Sequence, residues 1–207
     1  MSNEKIEIFD DNFNYLGIES SHKAHRNGLW HKVVHCWLVD TKTQKILYQR
    51  RSDNKKLYPG MLDVSVAGHC DPGESYSETA KRECFEEIGI DIDTKSIVSL
   101  GLRRDCFLSD DIVNREFQKI IIVELDIDFS KLKIEPNEVA EVGLIAPDDI
   151  LSTYNSNITF DAVFYNGEET YSKSISAESI IQSIDNYNYK VPKLIKKYLS
   201  GDELLFV

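Results

Sequence analysis

Three glutamates, Glu83, Glu86 and Glu87, stand at i, i+3 and i+4 in the segment GHCDPGESYSETAKRECFEEIGI, residues 68–90. On a helix that spacing gathers all three carboxylates on one face, where each like-charged pair costs roughly a few tenths of a kcal/mol. Left to itself, such a cluster is a solvated acidic face. The loop in front of it argues for a use. Gly68, Pro72 and Gly73 allow the backbone to approach a ligand closely and to turn a carbonyl inward. Hard oxygen ligands in that arrangement suit Mg2+, or alternatively Mn2+, and either ion bridges to phosphate oxygens. A cation there would offset the repulsion between the carboxylates.

The elements that must position this cluster are partly readable. Ser75 and Glu78 have the spacing of a capping box, so a helix is predicted over 75–88, with Gly89 where a helix commonly ends. Ala80, Cys84 and Ile88 form a separate apolar stripe, suited to packing on a sheet. Residues 5–9 and 15–19 read as short strands around Asp10-Asp11-Asn12. Val33–Val39 and Gln44–Gln49 read as a hairpin, and the alternation in 62–67 as one strand with a packed face. Further strands are expected near 97–105, 115–125 and 138–145. After Pro147 the pattern turns helical, and 177–199 read as two short helices, the second opening near Pro192. Strands outnumber helices and do not alternate regularly with them, which predicts an α+β layered fold.

Composition narrows the function. The 207 residues are 42% hydrophobic and 29% charged, and 24 Lys plus Arg against 35 Asp plus Glu give a net charge of −11. That balance argues against nucleic acid and anionic membrane surfaces as partners, and leaves open a small charged ligand held locally. No apolar run reaches the ~18 residues of a membrane span. The polar, acidic start MSNEKIEIFDD does not read as a secretory signal, and Cys36, Cys70, Cys84 and Cys106 are well separated. Reduced thiols and a cytoplasmic location are expected.

The glutamate segment resembles the Nudix box, G-x5-E-x7-R-E-U-x-E-E-x-G-U, where U is a bulky aliphatic residue. Gly68, Glu74, Arg82, Glu83, Glu86, Glu87, Gly89 and Ile90 fall at their places, and only the first U departs, being Cys84. The flanking stretches AHRNGLWHKVVHCWL, LYQRRS and YPGMLDVSVAGH look like the branch related to type I isopentenyl-diphosphate isomerase. The resemblance implies a Nudix-type α/β/α sandwich around a mixed β-sheet. It places a hydrolase domain at 31–165, between an N-terminal strand or hairpin extension (1–30) and a C-terminal helical extension (166–207). It implies a diphosphate-bond hydrolase working through metal-activated water attack on phosphorus of a small diphosphate substrate. Glu83, Glu86 and Glu87 would be metal ligands, joined by the Gly68 carbonyl, with Mg2+ as cofactor. Arg82 would orient the glutamates and Glu74 support the loop. The general base would be Glu86 or Glu138. Arg50 or Arg51, in the basic stretch with Lys55 and Lys56, would contact the diphosphate. A homodimer is in keeping with the family.

Two alternatives come from other classes. The isomerase relatives need a cysteine before the Gly-His element, and a metal cage of histidines with two downstream glutamates. Here Ala67 stands at the cysteine's place, and the downstream pair reads as Pro136 and Glu138. An apolar side chain cannot transfer a proton, so hydrolysis is the stronger expectation. The other alternative is a diphosphate- or nucleotide-binding sensor, a role expected of Nudix domains whose glutamates are lost; none is lost here. His22, His25, His31, His35 and His69 all lie in the first third of the chain, and most such histidines are hydrogen-bonded structural residues.

Overall fold

The computed structural model describes residues 4–109, 112–156 and 158–202. Its spine is β3 (Trp30–Asp40), which runs parallel to β8 (Ile112–Leu125) from His31↔Glu116 to Asp40↔Leu125. On its other side β3 pairs in succession with β1 (Lys5–Phe9), β6 (Val66–His69) and β4 (Ile46–Arg51), all antiparallel. Beyond β4 the sheet continues antiparallel through β9 (Val139–Ile145), β10 (Phe160–Tyr165) and β11 (Thr170–Ile175), while β2 (Tyr15–Ser20) closes the opposite edge on β1. β5 (Leu62–Asp63) adds to β4, and β7 (Val98–Ser109) pairs with β8.

Each face of this mixed sheet buries an apolar layer. Val34, Cys36 and Leu38 of β3 pack on Ala80, Cys84 and Ile88 of α2 (Tyr76–Ile88), the stripe expected from the sequence. Trp37 and Val39 point the other way, onto Ile150 of α3 (Pro147–Ser156) and Tyr187, Val191 and Ile195 of α4 (Tyr187–Leu199). The result is an α+β sandwich of helix, sheet and helix. Among the described residues no helix is long and apolar enough to cross a membrane.

Four local readings need correction. Residues 62–67 are not one strand. Ser65 accepts from the Leu38 amide at 2.8 Å and donates to the Leu47 carbonyl, so the chain breaks there and passes from β4, as β5, to β3, as β6. A short helix, α1 (Ser21–Asn27), lies between β2 and β3 where the sequence predicts no element; Ser20 caps its start and Gly28, at φ 63°, ends it. Residues after Pro147 are helical only to Ser156. They then form the β10–β11 hairpin, whose inward Ala162 and Phe164 alternate with exposed Val163 and whose turn is Asn166-Gly167. Finally, α4 opens at Tyr187 rather than near Pro192. Tyr187, Val191 and Ile195 share one buried stripe, and that burial outweighs the single backbone bond the proline forfeits.

Candidate active site

The loop from β6 into α2 is built around Arg82. Its Nε and Nη2 donate to the two oxygens of Glu74, both at 3.0 Å, Nη1 donates to Glu83 at 2.7 Å and to Glu86 at 3.2 Å, and Nη2 also donates to the His69 carbonyl at 2.9 Å. One guanidinium thus ties three box carboxylates to the strand before them. The paired bond from Arg82 holds the Glu74 carboxyl down at about 2. The capping box at Ser75 and Glu78 is present, and Gly89 at φ 74° ends the helix.

The three box glutamates share a helical face but not an environment. Glu86 is 58% exposed and Glu87 only 5%. Glu83 lies against the backbone of Gly68, where an added Cβ would fall 2.0 Å from Glu83 Oε1, so the carboxylate fills the space a side chain would take. Burial raises the Glu83 carboxyl, with Arg82 acting against the shift. Burial, then the neighbouring Glu83 charge, pushes Glu87 up to about 8; its hydrogen bond is from Gln49 Nε2 at 3.1 Å. Oxygen donors held close together with this little compensation fit a hard divalent cation.

Lys55 stands over the same group. Burial and the Arg51 charge pull its ammonium down, Glu87 and Glu83 hold it up, and its Nζ meets the carboxylate of Glu138. Lys55 therefore joins Glu138, just ahead of β9, to the box. Arg50 and Arg51 are both engaged elsewhere. Arg50 Nε donates to Glu141, 1% exposed, at 2.8 Å, and its Nη1 to Asp53 at 3.0 Å. Arg51 donates to Asp63 and to the Leu57 carbonyl, each at 3.0 Å.

A second cluster lies where α1, β3 and β6 meet. The ring nitrogens of His25, His31 and His69 lie within 4.8 Å of one another. His31 is fully buried; its Nδ1 bonds the Leu29 carbonyl at 2.9 Å, while its Nε2 and the Nδ1 of His25 have no hydrogen-bond partner. Burial, then the other two rings, lowers His25 to about 4, leaving it a neutral imidazole. Glu116 of β8 approaches His31 Nε2 at 3.7 Å, and both its oxygens accept amide bonds at 2.6 Å, from Asn114 and Gln118. Buried imidazole nitrogens without partners, beside a carboxylate, are a donor set for a transition metal. His35 lies apart from the triad, bonded to Tyr187 at 3.0 Å. The carboxylate beside the histidines is thus Glu116, not Glu138, and Asn114 rather than Pro136 stands next to it. The signal for this was the polar alternation Asn114, Glu116, Gln118 in an otherwise apolar strand.

Comparison with known proteins agrees with the box. The family model described as NUDIX domain matches residues 29–164. A Nudix hydrolase of Clostridium acetobutylicum, described as uncharacterized, is 30% identical over 199 residues, 95% of this chain and 89% of that protein. An isopentenyl-diphosphate Delta-isomerase of Citrobacter koseri is 30% identical over 142 residues, 68% of this chain and 76% of the enzyme. In Nudix hydrolase 3 of Arabidopsis thaliana, 29% identical, the match covers 70% of this chain but only 19% of that protein. Among solved structures, DR0079 of Deinococcus radiodurans superposes with a TM-score of 0.57 at 25% identity, covering 73% of this chain and 88% of its own. With the family model spanning residues 29–164 and the Clostridium acetobutylicum relative matched along 95% of the chain at 30% identity, the chain belongs to the Nudix hydrolase family.

Proposed function

We propose that the protein is a Mg2+-dependent hydrolase that cleaves the diphosphate linkage of a small nucleoside-diphosphate-type or related substrate, with Glu83, Glu86, Glu87 and the Gly68 carbonyl holding the metal. The observation that carries this reading is Glu87. Its carboxylate is 5% exposed, bonded by the neutral Gln49 and set close to a second, half-buried carboxylate, Glu83. Left uncompensated, such a pair costs roughly several kcal/mol. A divalent cation bound there supplies charge neutralisation for the phosphates and lowers the pKa of the attacking water. Arg82 fixes the direction of Glu83 and Glu86. Glu86, open to solvent, accepts the proton of the water, and Glu138, already held by Lys55, is the alternative. Lys55 meets the diphosphate; Arg50 and Arg51 are the weaker candidates, because Glu141 takes the Nε of one and the Leu57 carbonyl that of the other.

The test is a panel of nucleotide sugars, dinucleotides, dNTPs and isoprenoid diphosphates, including isopentenyl diphosphate, assayed with and without Mg2+. Metal-dependent hydrolysis of any member supports the reading. Isomerisation would favour the isomerase alternative, against which Ala67 stands with only a methyl group. Tight ligand binding without turnover would favour the sensor.

A second cation centre of different chemistry is favoured by the unpartnered nitrogens of His25 and His31. Three imidazoles beside Glu116 would select a transition metal over Mg2+.

A further inference from the structure

Glu4 precedes β1, far outside the residues matched by the family model, yet it reaches the histidine cluster. Its Oε1 accepts a hydrogen bond from His69 Nδ1 at 3.0 Å. An imidazole bonded in this way has its proton fixed on Nδ1 and the lone pair on Nε2, and its ring can no longer turn freely. His31 is fixed in the same sense by a different acceptor, the Leu29 carbonyl, and its Nε2 is the nitrogen left buried without a partner. The His69 ring centre lies 5.1 Å from that of His31 and 5.2 Å from that of His25. Two of the three rings are thus locked through Nδ1, one by backbone and one by a side chain supplied from the N-terminal strand.

The same strand is anchored a second time on the box loop. Glu7 Oε1 accepts from the Gly73 amide at 3.2 Å, and its Oε2 pairs at 2.7 Å with Lys32, whose Nζ also donates to the Glu74 carbonyl at 3.1 Å. Glu4 is therefore not a chance surface contact. It sits on a strand bolted to both ends of the Gly68–Glu74 loop.

We propose that Glu4 is a positioning residue: it holds His69 with Nε2 turned toward His25 and His31, making the N-terminal strand a working part of the three-histidine centre. The inference rests on the reading of that centre as a transition-metal site.

The test uses Co2+ alone as the probe, with the full chain as wild type, Glu4→Ala, Glu4→Gln and His31→Ala. Wild type is expected to bind one Co2+ with visible d–d absorption that His31→Ala abolishes. Glu4→Ala should weaken binding by about 10- to 100-fold. Glu4→Gln, whose side-chain carbonyl can still accept from Nδ1, should recover part of that loss. In the metal-free protein, long-range 1H–15N spectra should show His69 of wild type as the Nδ1–H tautomer, and of Glu4→Ala as a mixture. Unchanged Co2+ affinity together with an unchanged tautomer in Glu4→Ala would overturn the role of Glu4. Absence of any Co2+ site sensitive to His31→Ala would overturn the metal reading itself, while the tautomer of His69 would still decide the role of Glu4.

Discussion

Arg82 and Glu74 face each other fork to fork, Nε to Oε1 and Nη2 to Oε2, both at 3.0 Å, across eight residues that include the whole turn from loop into helix. Two parallel charge-assisted bonds fix orientation as well as distance. Because the same guanidinium reaches Glu83, Glu86 and the His69 carbonyl, the glutamate cluster is set in place before any ligand arrives.

That pair predicts an acid-sensitive contribution to stability. The Glu74 carboxyl is lowered to about 2 from an ordinary 4.5, so its contribution is complete above pH 4.5 and is lost as pH falls toward 2. Glu74→Gln should lower stability at pH 7 by about 1–2 kcal/mol, after allowing for solvent at a partly exposed pair. Urea unfolding should show the two proteins converging between pH 4.5 and 2. A difference independent of pH would contradict the assignment.

Glu87 predicts a trade between stability and metal binding. Above pH 8, where the Glu87 carboxyl is ionised, removing its charge relieves a buried carboxylate with little compensation, so Glu87→Gln should there unfold at a temperature equal to or a few degrees above wild type in the absence of metal. Added Mg2+ should then raise the melting temperature of wild type and not of the variant. A variant that loses stability without metal but keeps the Mg2+ response would refute this role.

Gly68→Ala tests whether close approach of the backbone matters. The new methyl would meet the Glu83 side chain from Oε1 at 2.0 Å back to Cγ at 2.5 Å, so the carboxylate must swing away from the backbone. Displacing that carboxylate by about 1 Å should cost about 10²-fold in kcat, with the folded state retained. Circular dichroism and turnover measured on one preparation separate the two effects.

Lys55 and Arg50, five residues apart, should behave differently. Lys55→Met should raise KM for the diphosphate substrate by about tenfold or more, because it removes the ammonium that links Glu138 to the field of Glu83 and Glu87. Arg50→Met should leave KM unchanged but destabilise the fold by about 1–2 kcal/mol, since buried Glu141 would lose its guanidinium bond and keep only the ammonium of Lys173. The reverse pattern would make Arg50 the substrate contact.

The helix of the box was readable because every local rule agreed there: Ser75 and Glu78 cap it, Ala80, Cys84 and Ile88 bury it, and Gly89 ends it. The layered fold followed from the same periodicities. What the sequence hid were relations between distant residues. The bonds of Ser65 to β3 and β4 break what reads as one strand. The buried stripe of α4 overrides Pro192. The histidine cluster joins His25, His31 and His69 from three elements, and its carboxylate comes from β8, a pairing set by the parallel register His31↔Glu116. Spacing along the chain carries no record of such contacts. The engagement of Arg50 by Glu141 is of the same kind, since both residues look like free surface charges until β4 and β9 pair.

We propose that the box glutamates carry a metal-dependent attack of water on a diphosphate. It is tested most directly by product release from the best substrate of the panel, measured for wild type and Glu86→Gln with and without Mg2+. Turnover is expected to require Mg2+ and to fall about 10²-fold or more in the variant, with the variant folded. Turnover that persists without divalent metal, or that Glu86→Gln leaves unchanged, would contradict it.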